Sequence, residues 1–128
     1  MSGEPETSRR HFAAHDRIRS FAFAWNGLRF FVATQHNAWI HLAATVTVLV
    51  LSAWLRISAD DWRWIVLAIA IVWIAEALNT AVEQLGDAIS VEHDTRIGLA
   101  KDVAAGAVLL SAIASALIGT LTLVPYIF

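Results

Sequence analysis

Cysteine is absent from the 128 residues, so no disulfide framework, thiol nucleophile or thiolate metal site can be built. Neither a GxxxxGK[ST] nor a GxGxxG pattern occurs, so any nucleotide site is not of the P-loop or dinucleotide-fold kind. Histidines are few, and His36, His41 and His93 show no regular metal-ligand spacing; they read as boundary or loop residues. Charge is sparse too: 16% of residues, with a net −2 that says little by itself; no nucleic-acid partner is expected. The N-terminus has no short apolar h-region and no small-residue cleavage site, so the first hydrophobic segment is expected to stay in the protein.

What is abundant is apolar sequence. Hydrophobic residues make up 58% of the chain, above the 45–50% usual for soluble domains. Three long apolar runs follow a polar N-terminal segment and are separated by two polar loops. The expected architecture is all-α and membrane-integral: a surface helix followed by three transmembrane helices in one domain, 16–128. Residues 1–15, polar and of mixed charge, are expected to be a disordered tail.

In chain order, Ile18, Phe21, Trp25, Leu28 and Val32 recur at steps of three and four, predicting an amphipathic helix over 16–34 with Asp16 at its start. A basic, aromatic-rich helix of this kind lies in the headgroup plane. Its other side carries Arg19, Phe23, Asn26 and Phe30, and an aromatic beside an arginine can stack a nucleotide base. Spans are expected at about 38–56, 62–89 and 98–124, with Ser58 or Asp60 capping the second and Pro125 ending the third. Five of the basic residues, Arg9, Arg10, Arg17, Arg19 and Arg29, precede the first span, which places the N-terminus in the cytoplasm. The loop between the second and third spans then faces the cytoplasm as well. Gln35, Glu92, His93, Asp94, Lys101 and Asp102 collect on that side.

The second span holds the unusual stretch, EALNTAVEQLGD. At about 100° per residue, Glu76, Glu83 and Asp87 fall within about 40° of one another, flanked by Asn79 and Thr80. Ionisable residues in a span face protein or water and mark function by default. Glu76 lies deepest; Glu83 lies near the far edge of the hydrocarbon and Asp87 among the headgroups. The face of the third span carrying Gly98, Asp102, Ala105 and Gly106, with Lys101 at its edge, is expected to pack on this stripe.

These groups suit phosphoryl transfer. A carboxylate such as Glu83 with neighbouring oxygens suits Mg²⁺, Lys101 offers charge to phosphate, and Glu76 could take a proton from a lipid hydroxyl. Residue types alone leave two other readings open: a proton-coupled transporter using Glu76 as relay, and a non-catalytic membrane adaptor.

EALNTAVEQLGD followed by AKDVAAGAVL, with AWNGLR upstream, resembles the small bacterial integral-membrane diacylglycerol kinase family, which includes undecaprenol kinases. The resemblance runs from about Arg17 to Val124. It implies an ATP- and Mg²⁺-dependent lipid kinase of the bacterial inner membrane, acting on undecaprenol or diacylglycerol as a homotrimer with shared sites. It casts Glu76 as the catalytic base and Glu83 as a metal ligand and ATP contact, with Asn79 and Asp87 organising the site. Lys101, Asp102, Glu92, His93 and Asp94 would contact ATP, Phe23 would lie near the adenine, and Arg17 or Arg19 would supply a further basic group. At Gln35 the family's better-known members have a metal-binding glutamate; here a neutral amide stands in its place.

Overall fold

The computed structural model describes residues 6–89 and 94–128, with side chains from Arg17 onward. It contains four helices: α1 (Glu6–Thr34), α2 (His36–Leu55), α3 (Ala59–Ile89) and α4 (Thr95–Ile127). By length and composition, α2, α3 and α4 can each cross a membrane. The chain divides into two compact units, residues 1–34 and 35–128.

In the first unit, α1 starts upstream of the apolar repeat, and Asp16 falls inside the helix rather than at its cap. Ile18, Phe21, Trp25 and Leu28 are exposed, and so are Phe23 and Phe30 from the other side. Arg19 lies over the Phe23 ring, 5.7 Å from its centroid, within cation–π range.

The second unit is a three-helix bundle whose ends are tightly specified. Arg56 caps α2 in the left-handed conformation (φ 52°), its N–H reaching the carbonyls of Ser52 and Ala53. Ser58 starts α3: its Oγ accepts from the Asp61 N–H at 3.1 Å and donates to the Asp61 carboxylate at 2.8 Å. The serine side chain is thus a helix N-cap, but the reciprocal bond of a capping box is missing, since the Ser58 backbone N–H does not go to Asp61. Tyr126, from the end of α4, donates to the same carboxylate and accepts from the Ser58 N–H, so the last turn of α4 is tied to the α2–α3 connection. That turn continues through Pro125 to Ile127 instead of stopping at the proline. Asp94 caps α4 by accepting from the Arg96 N–H at 2.8 Å.

The two ends of the bundle have opposite cores. Near the α2–α3 connection, Ile57, Ile65 and Leu123 are buried among Leu51, Leu55 and Trp62. Towards the other end of α3 the buried residues are Glu76, Asn79, Thr80 and Gly86. Meanwhile Leu67, Ile74, Leu78, Leu109, Leu110, Leu117 and Leu121 face outward. Large apolar groups outside and small or polar groups inside is the distribution expected when lipid is the solvent.

Helix α4 packs chiefly on α3. The face it uses differs from the one expected. Ile97, Lys101, Ala104, Val108, Ser111, Ser115, Ile118 and Thr122, all buried or half-buried, recur at alternating steps of four and three, a coiled-coil seam. Asp102 and Ala105 are exposed, and no neighbouring atom lies within 4 Å of a Cβ built at Gly98 or Gly106. The small residue that permits close approach is on α3. A Cβ at Gly86 would sit 2.6 Å from Lys101 Cε and 3.0 Å from Ile97 Cγ2. The seam wins because it carries the bulkier, packable side chains, whereas the glycine face offers nothing to fill the space against α3. Further along, Ser115 Oγ donates to the Ala68 carbonyl at 2.8 Å and fixes the register.

Candidate functional site

One face of α3 presents Glu76, Asn79, Glu83 and Gly86 at helical steps of three and four, with Asp87 beside them. Glu76 is the most buried side chain of this row, at 2% exposure. Its Oε1 lies 2.8 Å from His41 Nε2 of α2. An ionised carboxylate can only accept, so the imidazole N–H is the donor. Next to this pair, Trp73 Nε1–H donates to Thr45 Oγ1 at 3.0 Å, which locks the same α2–α3 register.

One turn on, Asn79 Nδ2 donates to Glu83 Oε1 at 3.2 Å. The amide's other atom, Oδ1, is buried and has no hydrogen-bond partner. A buried oxygen without a donor, next to a half-buried carboxylate, is a mismatch that a cation or its bound water would resolve. Among the described residues no group of three His, Cys, Asp or Glu side chains comes together. Glu83 and the Asn79 Oδ1 oxygen are donors of the kind Mg²⁺ takes, an ion held by one or two carboxylates with water and phosphate oxygens in its other positions.

At the end of the row, Lys101 Nζ bonds Asp87 Oδ1 at 2.5 Å. The lysine side chain is 33% exposed and the aspartate 67%. So open a pair is worth less than about 1 kcal/mol of stability, and its consequence is to aim the ammonium group. From Glu76 to Asp87 the row extends about 16 Å along the helix.

The structure thus aligns Glu76, Asn79, Glu83 and Asp87 along α3, with Glu76 bonded to His41 of α2 and Asp87 bonded to Lys101 of α4. Asp102 faces outward, away from this seam. Asp94 is spent on capping α4. Gln35 is half-buried at the start of α2, where it stands at the N-cap position without a side-chain capping bond. Phe23 belongs to the first unit, paired with Arg19. Glu92 and His93 lie outside the described residues. His41, read from the sequence as a boundary or loop residue, instead lies within α2 and pairs with Glu76. Its signal was there: His41 and Glu76 both lie about five helical turns from Ser58, so an antiparallel α2–α3 hairpin must set them at the same depth.

A largely apolar cavity of about 300 Å³ opens beside this pair, lined by His41, Thr45, Ile65, Val72, Ser115 and Gly119 among others. It lies at the depth of the spans, between all three helices of the second unit.

Comparison with known proteins gives a consistent picture. The family model described as prokaryotic diacylglycerol kinase matches residues 22–123. A diacylglycerol kinase of Synechocystis sp. is 38% identical over 113 residues, which cover 88% of this chain and 65% of that protein, just under two thirds of its length. The undecaprenol kinase of Bacillus subtilis is 36% identical over 108 residues, 84% of this chain and 88% of that protein. The diacylglycerol kinase of Escherichia coli K12 is 31% identical over 103 residues, covering 75% and 79%.

Proposed function

Because the chain belongs to the prokaryotic diacylglycerol kinase family, we propose that it is a lipid kinase that moves the γ-phosphoryl group of ATP to the primary hydroxyl of undecaprenol or diacylglycerol. The observation that carries this reading is the buried Glu76 carboxylate heading a row of oxygen and ammonium groups that leads out to Lys101. A lipid hydroxyl arrives from within the membrane. A nucleotide arrives from water. The row joins the two depths.

In the proposed reaction, Glu76 takes the proton of the lipid hydroxyl as that oxygen attacks the γ-phosphorus. The bond from the γ-phosphorus to the bridging oxygen breaks, and ADP leaves with the electron pair. Lys101 holds phosphate oxygens as a point charge, released in part from Asp87. Glu83 and the Asn79 Oδ1 oxygen would hold Mg²⁺, with Gln35 offering a neutral carbonyl at a further position. When bound, the ion neutralises charge on the transferred phosphoryl group. The Arg19–Phe23 pair offers the adenine a stacking surface, with Asp102 and the Glu92–Asp94 segment as further ATP contacts. A homotrimer in the bacterial inner membrane, N-terminus cytoplasmic, would let a neighbouring copy complete each site; the outward-facing Asp102 supports that arrangement.

The test is transfer of labelled phosphate from ATP to lipid in reconstituted vesicles, with Mg²⁺ and with undecaprenol and diacylglycerol side by side. Transfer to one lipid selects the substrate. No transfer to either, by folded protein, removes the kinase reading.

Lys101→Ala is expected to raise KM for ATP about tenfold or more while leaving KM for lipid near its original value. Gly86→Ala should do the same more weakly, because its new Cβ displaces Lys101 Cε. Both variants should fold, since the displaced atom ends a flexible chain and the ion pair is exposed. A rise in lipid KM instead would argue that Lys101 does not touch phosphate.

A further inference from the structure

Glu76 and His41 meet across two helices, in a largely buried place. Their side chains are 3% and 19% exposed, and the imidazole also lines the apolar cavity. A hydrogen bond in such a medium is stronger and more directional than one in water. A free carboxylate on a long side chain would sample several rotamers; one oxygen fixed from α2 removes that freedom. The pair is also electrostatically isolated. On α3 the next titratable group is Glu83, two turns away, and on α2 it is the exposed His36. Helix α4 carries no titratable side chain between Asp102 and Tyr126.

We propose that His41 is a positioning residue for the base. Its Nε2–H holds Glu76 Oε1, so that Oε2 is the oxygen presented to the lipid hydroxyl. This inference rests on the lipid kinase reading above and adds to it a residue outside the acidic row.

The experiment is the vesicle assay with the full-length protein, ATP and Mg²⁺, for wild type, His41→Gln and His41→Ala. His41→Ala is expected to lower kcat about 10- to 100-fold with KM for ATP unchanged, as loss of a bond to a charged group and of orientation would do. His41→Gln keeps an N–H donor and should recover most of that kcat. An equal loss of kcat in both variants would assign His41 to packing and overturn the inference. So would wild-type kcat in His41→Ala. If His41→Ala does not fold, His41→Leu, which fills the space without a donor, takes its place. Absence of transfer by the wild-type protein is a separate outcome, since it overturns the parent reading along with this one.

Discussion

Glu76→Gln leaves a folded protein whose lipid phosphorylation falls by about 10²- to 10⁴-fold, the span expected for losing a general base. The substitution is close to isosteric. The new amide carbonyl still accepts from His41 Nε2–H, so the α2–α3 contact at 2.8 Å survives. What is lost is the ability to take a proton. Burying a neutral amide in place of a carboxylate also relieves desolvation, so thermal stability in detergent should hold or rise. The measurement is phosphate transfer at saturating ATP and lipid, paired with a thermal unfolding scan. Near-normal turnover in a stable variant would strip Glu76 of the base role. Loss of turnover together with early unfolding would instead make Glu76 a structural group. A proton relay would show a third pattern, with proton flux through vesicles in the absence of ATP.

The sequence made the spans and the acidic row legible for two different physical reasons. Spans announce themselves through hydropathy, which is a property of each segment alone, and α2, α3 and α4 fall where the apolar runs lie. The row announces itself through the helical period, and Glu76, Asn79 and Glu83 do share a face, buried at Glu76 and Asn79 and half-buried at Glu83. Contacts between segments were less legible. Choosing the face of α4 by its small residues pointed to Gly98 and Gly106, but close approach needs only one small partner, and Gly86 on α3 provides it. His41 was likewise hidden, because a single histidine in an apolar run has no period of its own. It becomes visible once the hairpin at Ser58 fixes which depths coincide.

The opposed cores of the bundle explain why a site can exist at this end. At the α2–α3 connection, the Ile57–Ile65–Leu123 cluster and the Ser58–Asp61–Tyr126 bonds hold the three helices together. That anchoring allows the far end to bury Glu76, Asn79 and Thr80, which contribute little to cohesion and would be costly alone. Buried Ser52 Oγ, at the other end, also lacks a partner; under the proposed function the unsatisfied Asn79 Oδ1 is the sign of a cation bound at this end.

Glu83→Gln tests that sign, with an expected loss of about 100-fold in apparent Mg²⁺ affinity. Removing groups that merely support metal ligands costs about 10- to 100-fold, so a direct ligand belongs at the upper end. The substitution separates charge from structure. The new amide carbonyl at position 83 can keep accepting from Asn79 Nδ2, so the bond at 3.2 Å need not break. Activity should then return in part as Mg²⁺ is raised, which a packing defect would not allow. Gln35→Glu is the complementary change. It adds the charge this chain lacks near the start of α2 and should lower the Mg²⁺ concentration needed for half-maximal rate. The readout for both is the rate as a function of free Mg²⁺ at fixed ATP. An unchanged Mg²⁺ dependence in Gln35→Glu would show that position 35 holds no metal. An unchanged dependence in Glu83→Gln would move the metal off the α3 row and leave Glu83 as a contact to the nucleotide alone.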